Sequence, residues 1–366
     1  MIKQNQQYKI ALIGDSLSAG GAEKVHAHLS NFFVANGHQV KNCIFLDLIS
    51  YKFSGELLNL GLIKPNSNPI IRKISRFFAL KKFIKNNNFD VVIDFRMRRN
   101  FVQEFLISKI YPAKTIYSVR SGILEFYFPK NSFLSQLIYK NRTINCVSKA
   151  IQEKIIQQKL ADNVGFIHNP IFFETIEKQK NEYQVVEPKY ILAAGRMKGD
   201  VKQFDKLILA YSNSILPKEN VKLILIGEGE NKEKYIQLSK QLQLENFIQF
   251  IGFLDNPFPY YKSALFTVLS SKNEGFPNVI IESLACETPV IAFDCFSGPN
   301  EIISHEKNGL LLENQSFDLL KKEMNRMIED KTLYKNCKEN AKESVAKFDI
   351  GIIGNQWLEL IKNTVS

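Results

Sequence analysis

The chain alternates short apolar runs with segments of helical periodicity, and this alternation constrains its fold more than any other feature. Such alternation builds a parallel sheet covered by helices on both faces. The series occurs twice, separated by a polar and charged segment at residues 171–188. We predict two Rossmann-like α/β domains, 1–170 and 189–345, joined by a linker at 171–188, with a last helix at 346–366 that returns to the first domain. The predicted strands are Tyr8–Gly14, Gln39–Leu46, Asp90–Phe95, Lys114–Val119, Thr143–Val147, Val164–Ile167, Tyr190–Ala194, Val221–Ile226, Phe247–Gly252, Ala264–Leu269, Pro289–Phe293 and 309–312.

Length, apolar runs and cysteines narrow the class of protein. At 366 residues the chain is long enough for two domains that each bury a core. No apolar run approaches the roughly eighteen residues of a membrane span, and the run Ile10–Ile13 is too short for a secretory signal. The five cysteines are odd in number and scattered without metal-ligand spacing. We therefore expect reduced thiols in the core of a cytoplasmic protein.

Positive charge is concentrated in the first part of the chain. Residues 1–170 hold 24 Lys and Arg against 10 Asp and Glu, a net charge of +14. The remaining residues hold 24 against 27, a net charge of −3, and the whole chain carries +11. A basic half of this kind is typical of proteins that meet nucleic acid, anionic lipid or a phosphorylated substrate.

The stretch Ser270–Glu301 points most directly to a ligand. It reads as a loop, a helix beginning near Pro277, a buried strand and a second loop. The helix N-terminus offers free N–H groups and the positive end of the helix dipole, which suit a phosphate. Glu274 precedes this helix, and Glu282 is predicted to face outward from it. A nucleotide sugar, with a diphosphate between two hydroxyl-rich sugars, would satisfy these features, although such glutamate pairs and Gly-Pro loops also occur by chance.

Other strand ends carry residues that suit anions. Gly20 and Gly21 form a turn before the first helix, which is either a tight turn or a ligand contact. Arg196 follows the strand Tyr190–Ala194, and a lysine near the next helix could clamp a diphosphate with it. Lys202 fits that position, with Lys198 as the alternative.

These motifs resemble the donor site of family 4 glycosyltransferases, which have the GT-B fold of two Rossmann-like domains facing each other across a cleft. The resemblance rests on 274–277, 278–283 and 297–301, where two glutamates are separated by seven residues. It implies that Glu274 contacts the transferred sugar, that Glu282 contacts the ribose hydroxyls, and that transfer retains the anomeric configuration. The resemblance also implies a donor site that contains Gly20, Gly21, Gly195, Arg196, Lys202, Gly227, Gly229, Gly275, Phe276, Pro277 and Asn278.

The sequence departs from the family at Arg120. Many members have a histidine near this position, whereas a guanidinium stays protonated and cannot act as a base. Arg120 could instead hold the leaving diphosphate or a substrate carbonyl, and His168 is a weaker alternative for a catalytic group. Three arginines follow the strand Asp90–Phe95, where they could bind an acceptor phosphate or simply be solvated. These arginines are Arg96, Arg98 and Arg99.

Residues 71–85 have the pattern of a basic amphipathic helix. Lysines and arginines lie elsewhere on the helix, and the apolar residues with helical spacing are Ile71, Ile74, Phe77, Phe78 and Ile84. Such a helix can lie on an anionic bilayer or pack its apolar stripe on a sheet. We favour packing on the sheet, with the basic face left free to attract lipid head groups.

Together these features predict a hexosyltransferase. It would move a hexose or N-acetylhexosamine, with galactose or N-acetylgalactosamine favoured, from a UDP-sugar to a lipid-diphosphate-linked or polysaccharide acceptor of cell-envelope glycan assembly. We expect a peripheral protein on the inner face of the cytoplasmic membrane that does not bind nucleic acid. Because the sequence contains no Asp-x-Asp, we expect Arg196, Lys202 and the helix N-terminus to replace a metal, and we expect no cofactor. The alternatives are a nucleotide-sugar epimerase of similar architecture and a basic nucleic-acid-binding protein.

Overall fold

The computed structural model of the protein describes residues 6–18, 20–64, 68–187 and 189–366. The chain forms two compact units. The first unit is Met1–Pro170 together with Ile350–Ser366, and the second unit is Ile171–Asp349. Within the described residues, no helix is long and apolar enough to cross a bilayer.

A seven-stranded parallel sheet forms the centre of the first unit, in the order β3-β2-β1-β4-β5-β6-β7. Six of these strands are predicted from the sequence, with ends that differ by at most two residues. The strand β3 is not predicted, because its four residues are only partly buried and give no apolar run. The strands are β1 (Lys9–Gly14), β2 (Gln39–Ile44), β3 (Glu56–Asn59), β4 (Val91–Asp94), β5 (Thr115–Val119), β6 (Thr143–Cys146) and β7 (Asn163–Phe166).

Helices cover both faces of this sheet, as right-handed parallel crossovers require. The first helix, α1 (Gly21–Ala35), packs against the last helix, α14 (Ile350–Val365). The four helices between β3 and β7 are each capped by a side chain that accepts a backbone N–H, from Asn68, Asn100, Asn131 and Ser148 in turn. These helices are α2 (Pro69–Asn87), α3 (Phe101–Ile110), α4 (Ser132–Tyr139) and α5 (Lys149–Gln157).

The structure corrects part of the prediction that the apolar stripe of α2 packs on the sheet, because only Ile84 of that stripe is buried. Leu80 and Ile84 are buried, but Ile71, Ile74 and Phe78 are exposed. The reason is that α2 carries apolar residues on two sides, and only the side with Leu80 and Ile84 faces the core.

The second unit contains a six-stranded parallel sheet in the order β10-β9-β8-β11-β12-β13. Its core is built from strand residues such as Leu223 and Ile291 and from helix residues such as Leu207 and Met324. The strands are β8 (Tyr190–Ala194), β9 (Lys222–Ile226), β10 (Ile248–Gly252), β11 (Thr267–Leu269), β12 (Val290–Phe293) and β13 (Gly309–Leu312). The helices are α6 (Phe173–Gln179), α7 (Phe204–Ser212), α8 (Lys232–Gln241), α9 (Phe258–Ser263), α10 (Asn278–Ala285), α11 (Pro299–Ile302), α12 (Phe317–Glu329) and α13 (Lys331–Ser344).

Much of the segment predicted as a linker belongs to the second unit. It contains α6, whose residue Ile176 is buried, and the Lys180 ammonium lies 2.9 Å from Glu177 and 3.1 Å from Glu287. This helix was not predicted because its composition is polar, and the ion pairs of Glu177 and Lys180 depend on contacts that the sequence does not show. Pro188, which also falls in the predicted linker, lies outside the described residues.

The last helix contributes its apolar face to the core of the first unit. Trp357 is fully buried, and its ring centroid lies 6.0 Å from that of Phe95. Gly354 faces Phe32 so closely that a Cβ atom there would come within 2.3 Å of the Phe32 ring. The first unit therefore needs residues from both ends of the chain to complete its core.

We predict that Trp357→Ala lowers the free energy of unfolding of the first unit by about 3–5 kcal/mol, because it removes a large buried side chain and leaves a cavity. The exposed residue Ile352 on the same helix gives a matched control, and Ile352→Ala should change stability by no more than about 0.5 kcal/mol. Urea unfolding followed by circular dichroism measures both. Equal effects of the two variants would contradict the packing of α14 described above.

Candidate active site

The second sheet reverses its strand order between β8 and β11. From β8 the chain adds β9 and β10 on one side, then returns to place β11, β12 and β13 on the other. In open α/β sheets the loops after two such strands diverge at the carboxyl edge, and ligands bind there. Arg196 and Lys202 belong to the loop after β8, and Glu274 belongs to the loop after β11.

Several contacts connect these two loops, including an ion pair between the Lys272 ammonium and Asp200. Ser270 donates its hydroxyl to the backbone carbonyl of Lys202 over 2.8 Å, and the backbone N–H of Lys272 bonds to Val201 over 2.9 Å. The Lys202 ammonium lies 2.7 Å from the Glu274 carboxylate. The two side chains are 19% and 14% exposed, so this ion pair is largely shielded from water but still open to a ligand.

The loop after β8 also packs tightly on the loop after β9, at three glycines. A Cβ atom on Gly227 would come within 2.0 Å of the Gly195 carbonyl oxygen, and one on Gly229 within 2.3 Å of the Met197 carbonyl oxygen. A Cβ atom on Gly195 would meet the Lys202 side chain at 2.7 Å. These glycines therefore allow the backbones to approach one another and leave space for the Lys202 stem. Whether they also contact a donor stays a prediction.

The loop before α10 is supported from the loop after β12. Ser297 donates its hydroxyl to the Gly275 carbonyl over 2.6 Å. Gly298 has a φ of 96°, and a Cβ atom there would lie 2.5 Å from Cδ of Pro277. Phe276 is buried with its ring centroid 5.2 Å from that of Phe348. These contacts hold residues 275–277 in one conformation at the entrance to α10.

The helix α10 begins at Asn278, with Pro277 in the N-cap position, as the sequence indicates. The helix receives no capping hydrogen bond from the Pro277 side chain. Its first turn thus presents the positive end of the helix dipole next to the loop that carries Glu274, an arrangement that favours an anion.

Glu282 does not face outward as the sequence analysis expected. Its side chain is 9% exposed, and it hydrogen-bonds to the phenol of Tyr261. Burial, with the Glu282 charge adding to it, raises the pKa of Tyr261 well above its usual value, so this phenol stays protonated and donates to the carboxylate. Glu282 is buried because α9 packs against α10 and places Tyr261 over the side of α10 that carries Glu282.

Arg196 and Lys198 are the exposed cations of the loop after β8. Neither forms an ion pair or a side-chain hydrogen bond within the part of the chain that the structure describes. Lys202, by contrast, is held beside Glu274. The geometry therefore favours Lys202 over Lys198 as the positioned lysine and leaves the guanidinium of Arg196 open to bind a phosphate.

The structure does not support Arg96 and Arg98 as acceptor contacts. Arg96 is 2% exposed, and its guanidinium lies 2.7 Å from Asp94 and 3.0 Å from Glu104. Burial alone would lower the pKa of Arg96, but Asp94 and Glu104 raise it well above its usual value. Arg98 is equally buried and donates to the Ser118 carbonyl over 3.3 Å. The Arg98 guanidinium lies 5.1–5.9 Å from the ring centroids of Tyr117, Tyr127 and Tyr139.

Arg99 and Arg120 remain available in the first unit. Arg99 is exposed and covers the ring of Phe126 at 4.3 Å. Arg120 is half-buried and donates to the side-chain oxygen of Asn169. Burial lowers the pKa of Arg120 to about 10, which still leaves it protonated at neutral pH. Its role as a cation, in place of a histidine base, stays a prediction.

The remaining candidates of the first unit lie at helix and strand ends. Gly20 is the N-cap of α1, and Gly21 is its first residue. His168 follows β7, with its ring 5.3 Å from Phe166. His26 on α1 is fully buried, and burial lowers its pKa to about 4.

The supporting roles of Ser270, Tyr261 and Ser297 were not predicted from the sequence. Each acts on a partner that is distant in the chain, such as Ser270 on the carbonyl of Lys202, 68 residues away. No local pattern marks a serine or tyrosine for such a contact, because the sheet topology creates the contact.

Comparisons with known proteins show the family and the fold. The family described as glycosyl transferases group 1 matches residues 175–344. Over 361 residues the chain is 32% identical to the N-acetylgalactosamine-N,N'-diacetylbacillosaminyl-diphospho-undecaprenol 4-alpha-N-acetylgalactosaminyltransferase of Campylobacter jejuni, covering 93% of this chain and 96% of the relative. It is 27% identical over 330 residues to the lipopolysaccharide 1,6-galactosyltransferase of Escherichia coli, covering 83% and 85%. The crystal structure of Anabaena HepE in complex with UDP superimposes with a TM-score of 0.74 at 18% identity, covering 97% of this chain and 100% of HepE.

Two Rossmann-like units with parallel sheets, and the likeness to HepE, show that the chain has the GT-B fold. The chain belongs to the group 1 glycosyltransferase family, because it aligns with a member over nearly its whole length at 32% identity.

We predict that Arg96→Met lowers the free energy of unfolding by about 3–5 kcal/mol, because Asp94 and Glu104 would then be buried without a compensating cation. The exposed neighbour Arg99 provides the control, and Arg99→Met should cost no more than about 0.5 kcal/mol. Chemical denaturation at neutral pH measures both. If Arg96→Met is as stable as the wild type but loses turnover, Arg96 is a functional residue and the structural assignment is wrong.

Proposed function

We propose that this glycosyltransferase transfers a hexose or N-acetylhexosamine from a UDP-sugar to a lipid-diphosphate-linked saccharide or a polysaccharide of the cell envelope. The observation that carries the proposal is the Lys202–Glu274 ion pair, in which Glu274 belongs to the loop that leads into the N-terminus of α10. It combines a cation and a helix dipole for a diphosphate with a carboxylate for sugar hydroxyls. Two relatives act, by their names, on a diphospho-undecaprenol-linked saccharide and on lipopolysaccharide, which supports an acceptor of this class.

In the proposed reaction, the bond between the anomeric carbon and the β-phosphate oxygen breaks, and its electron pair leaves with UDP. The Lys202 ammonium and the Arg196 guanidinium stabilise the charge that develops on the diphosphate. The N–H groups at the start of α10 act on the same charge. Lys202 also holds the Glu274 carboxylate in one position, so that it can accept hydrogen bonds from the transferred sugar.

The acceptor hydroxyl then bonds to the anomeric carbon. We infer retention, with attack on the face from which UDP departs, as in family 4. A phosphate oxygen of the departing UDP would then be the nearest base for the acceptor proton. Glu282, which receives the Tyr261 phenol on one side, would accept the ribose hydroxyls with its remaining lone pairs. We propose that no metal takes part, because cationic side chains already occupy the position where charge develops.

In the first unit we propose roles in donor binding for Gly20, Gly21 and Arg120. The two glycines would let the backbone approach the donor, and Arg120 would hold the leaving diphosphate or a substrate carbonyl. Of the three arginines predicted to bind an acceptor phosphate, Arg99 is exposed, and we propose that it does so. We further propose that the enzyme works in the cytoplasm at the inner face of the membrane, where a lipid-linked acceptor would be found.

We predict that UDP release from UDP-galactose or UDP-N-acetylgalactosamine, with acceptor and EDTA present, falls about 10²-fold in Arg196→Ala and in Lys202→Met. Each variant removes a cation from the position of the departing diphosphate. The exposed neighbour Lys198 is the matched control, and Lys198→Ala should retain most of the activity. Intact turnover in both Arg196→Ala and Glu282→Ala would contradict the assignment of the site, and loss of turnover in EDTA would contradict metal independence.

A thermal-shift screen with nucleotide sugars tests the donor class separately. A ligand that binds only the folded protein raises its apparent stability. UDP-sugars should raise the melting temperature, and the shift should shrink in Lys202→Met. If the UDP-sugar isomerises without an acceptor, the protein is an epimerase instead.

A further inference from the structure

Three neighbouring helices of the first unit expose apolar side chains on their outer sides. The helix α2 contacts α3, and α3 contacts α4. Each exposes large apolar residues one turn apart, and several of these are about two-thirds exposed. The set, here called the outer apolar face, is Ile70, Ile71, Ile74 and Phe78 on α2, Val102 and Leu106 on α3, and Phe133 and Leu137 on α4.

The second unit shows that this exposure is not a property of the chain as a whole. It has a similar layered architecture and more helices, yet among its described helical residues Leu209 is the one large apolar side chain exposed to this degree. Soluble monomers rarely expose contiguous apolar surface of this extent unless another surface covers it. The outer apolar face therefore indicates an interface.

Charge on the same helices has a single sign. The helices α2 and α4 contain no acidic residue, and the one acidic residue of α3, Glu104, is buried in its ion pair with Arg96. At 100° per residue, Ile70, Ile71, Ile74 and Phe78 span about 100° of α2. Lys81, Lys82 and Lys85 continue the same side of the helix and are exposed. The exposed side of α2 is thus apolar over its first turns and basic over its last turns.

We propose that the outer apolar face, with the lysines of α2, binds the surface of an anionic lipid bilayer. Apolar side chains would enter the boundary between head groups and acyl chains, and the lysines would attract the anionic head groups. The inference deepens the proposed function, because it names the surface that would hold the enzyme beside a lipid-linked acceptor. It also replaces the expectation that only the basic side of α2 faces lipid.

The charge pattern favours a bilayer over two other partners. A second copy of this chain, meeting the same face, would bring no exposed carboxylate from α2, α3 or α4 to pair with the lysines. A nucleic acid would use the lysines but would leave the aliphatic side chains Ile74, Val102 and Leu106 in water. An anionic bilayer uses both the charge and the apolar surface.

The test is flotation of the full-length protein with phosphatidylcholine vesicles that contain or lack phosphatidylglycerol. We expect binding only when phosphatidylglycerol is present. The double variant Ile74→Glu with Phe78→Glu should reduce the partition coefficient about tenfold or more, because two apolar groups no longer enter the boundary. Lys81→Gln with Lys85→Gln should also reduce it by about an order of magnitude.

Matched controls come from the second unit. The double variants Leu209→Glu with Val186→Glu, and Lys335→Gln with Lys338→Gln, change exposed residues of the same types and should bind vesicles like the wild type. Circular dichroism checks that every variant is folded. The proposal is overturned if the wild type does not float with phosphatidylglycerol, if the α2 variants float equally well, or if they instead abolish RNA binding or dimerisation in the absence of vesicle binding.

Thermal shift with UDP-sugars separates this proposal from the proposed function. Donor binding should be unchanged in the α2 variants, because the candidate donor site lies in the second unit. Vesicle binding without any response to UDP-sugars would leave the bilayer surface standing and overturn the donor assignment. A response to UDP-sugars without vesicle binding would support the donor assignment and overturn the bilayer surface.

Discussion

The candidate site depends on one constraint, which is that all six strands of the second sheet are parallel. Parallel strands end at the same edge, so the loops after β8, β9, β11 and β12 are brought together although their residues are far apart in sequence. The reversal of strand order at β8 and β11 brings together the loops that carry Lys202 and Glu274, at the edge of the sheet where ligands bind in open α/β folds. The hydroxyl of Ser270 and the backbone of Lys272 then hold the two loops in register.

Burial separates structural arginines from those that can bind a ligand. In the first unit, Arg96 is enclosed by Asp94 and Glu104, and Arg98 by three tyrosines and a backbone carbonyl. Both cations are compensated inside the protein, so little of their binding capacity remains for a substrate. In the second unit, Arg196 follows a strand in the same way but stays exposed. The same residue type after a strand can therefore be part of the core or part of a site.

The basic character of the first 170 residues has two origins. Some of the charge, including Arg96 and Arg98, is internal and compensated by carboxylates, carbonyls and aromatic rings. The lysines of α2 are external, and no acidic residue on the same helix offsets them. A net charge of +14 alone cannot distinguish these cases, because composition does not show which side of a helix faces the sheet. The exposed apolar residues beside those lysines favour an anionic bilayer over a nucleic acid as the partner.

Sequence alone determined the two parallel α/β units, twelve of the thirteen strands, the start of α10 at Pro277 and Asn278, and the presence of a glutamate on each side of it. These are local properties, because apolar periodicity, turn residues and helix-start preferences act over a few neighbouring positions. The strand β3 and the helix α6 were not predicted from the sequence, because β3 is only partly buried and α6 is mostly polar. Only the tertiary structure decided that Glu282 turns inward to Tyr261, that Arg96 and Arg98 are buried, and that α2 exposes Ile74 and Phe78. Each of these depends on which distant element packs against a given side, and that information is not present in the neighbouring residues.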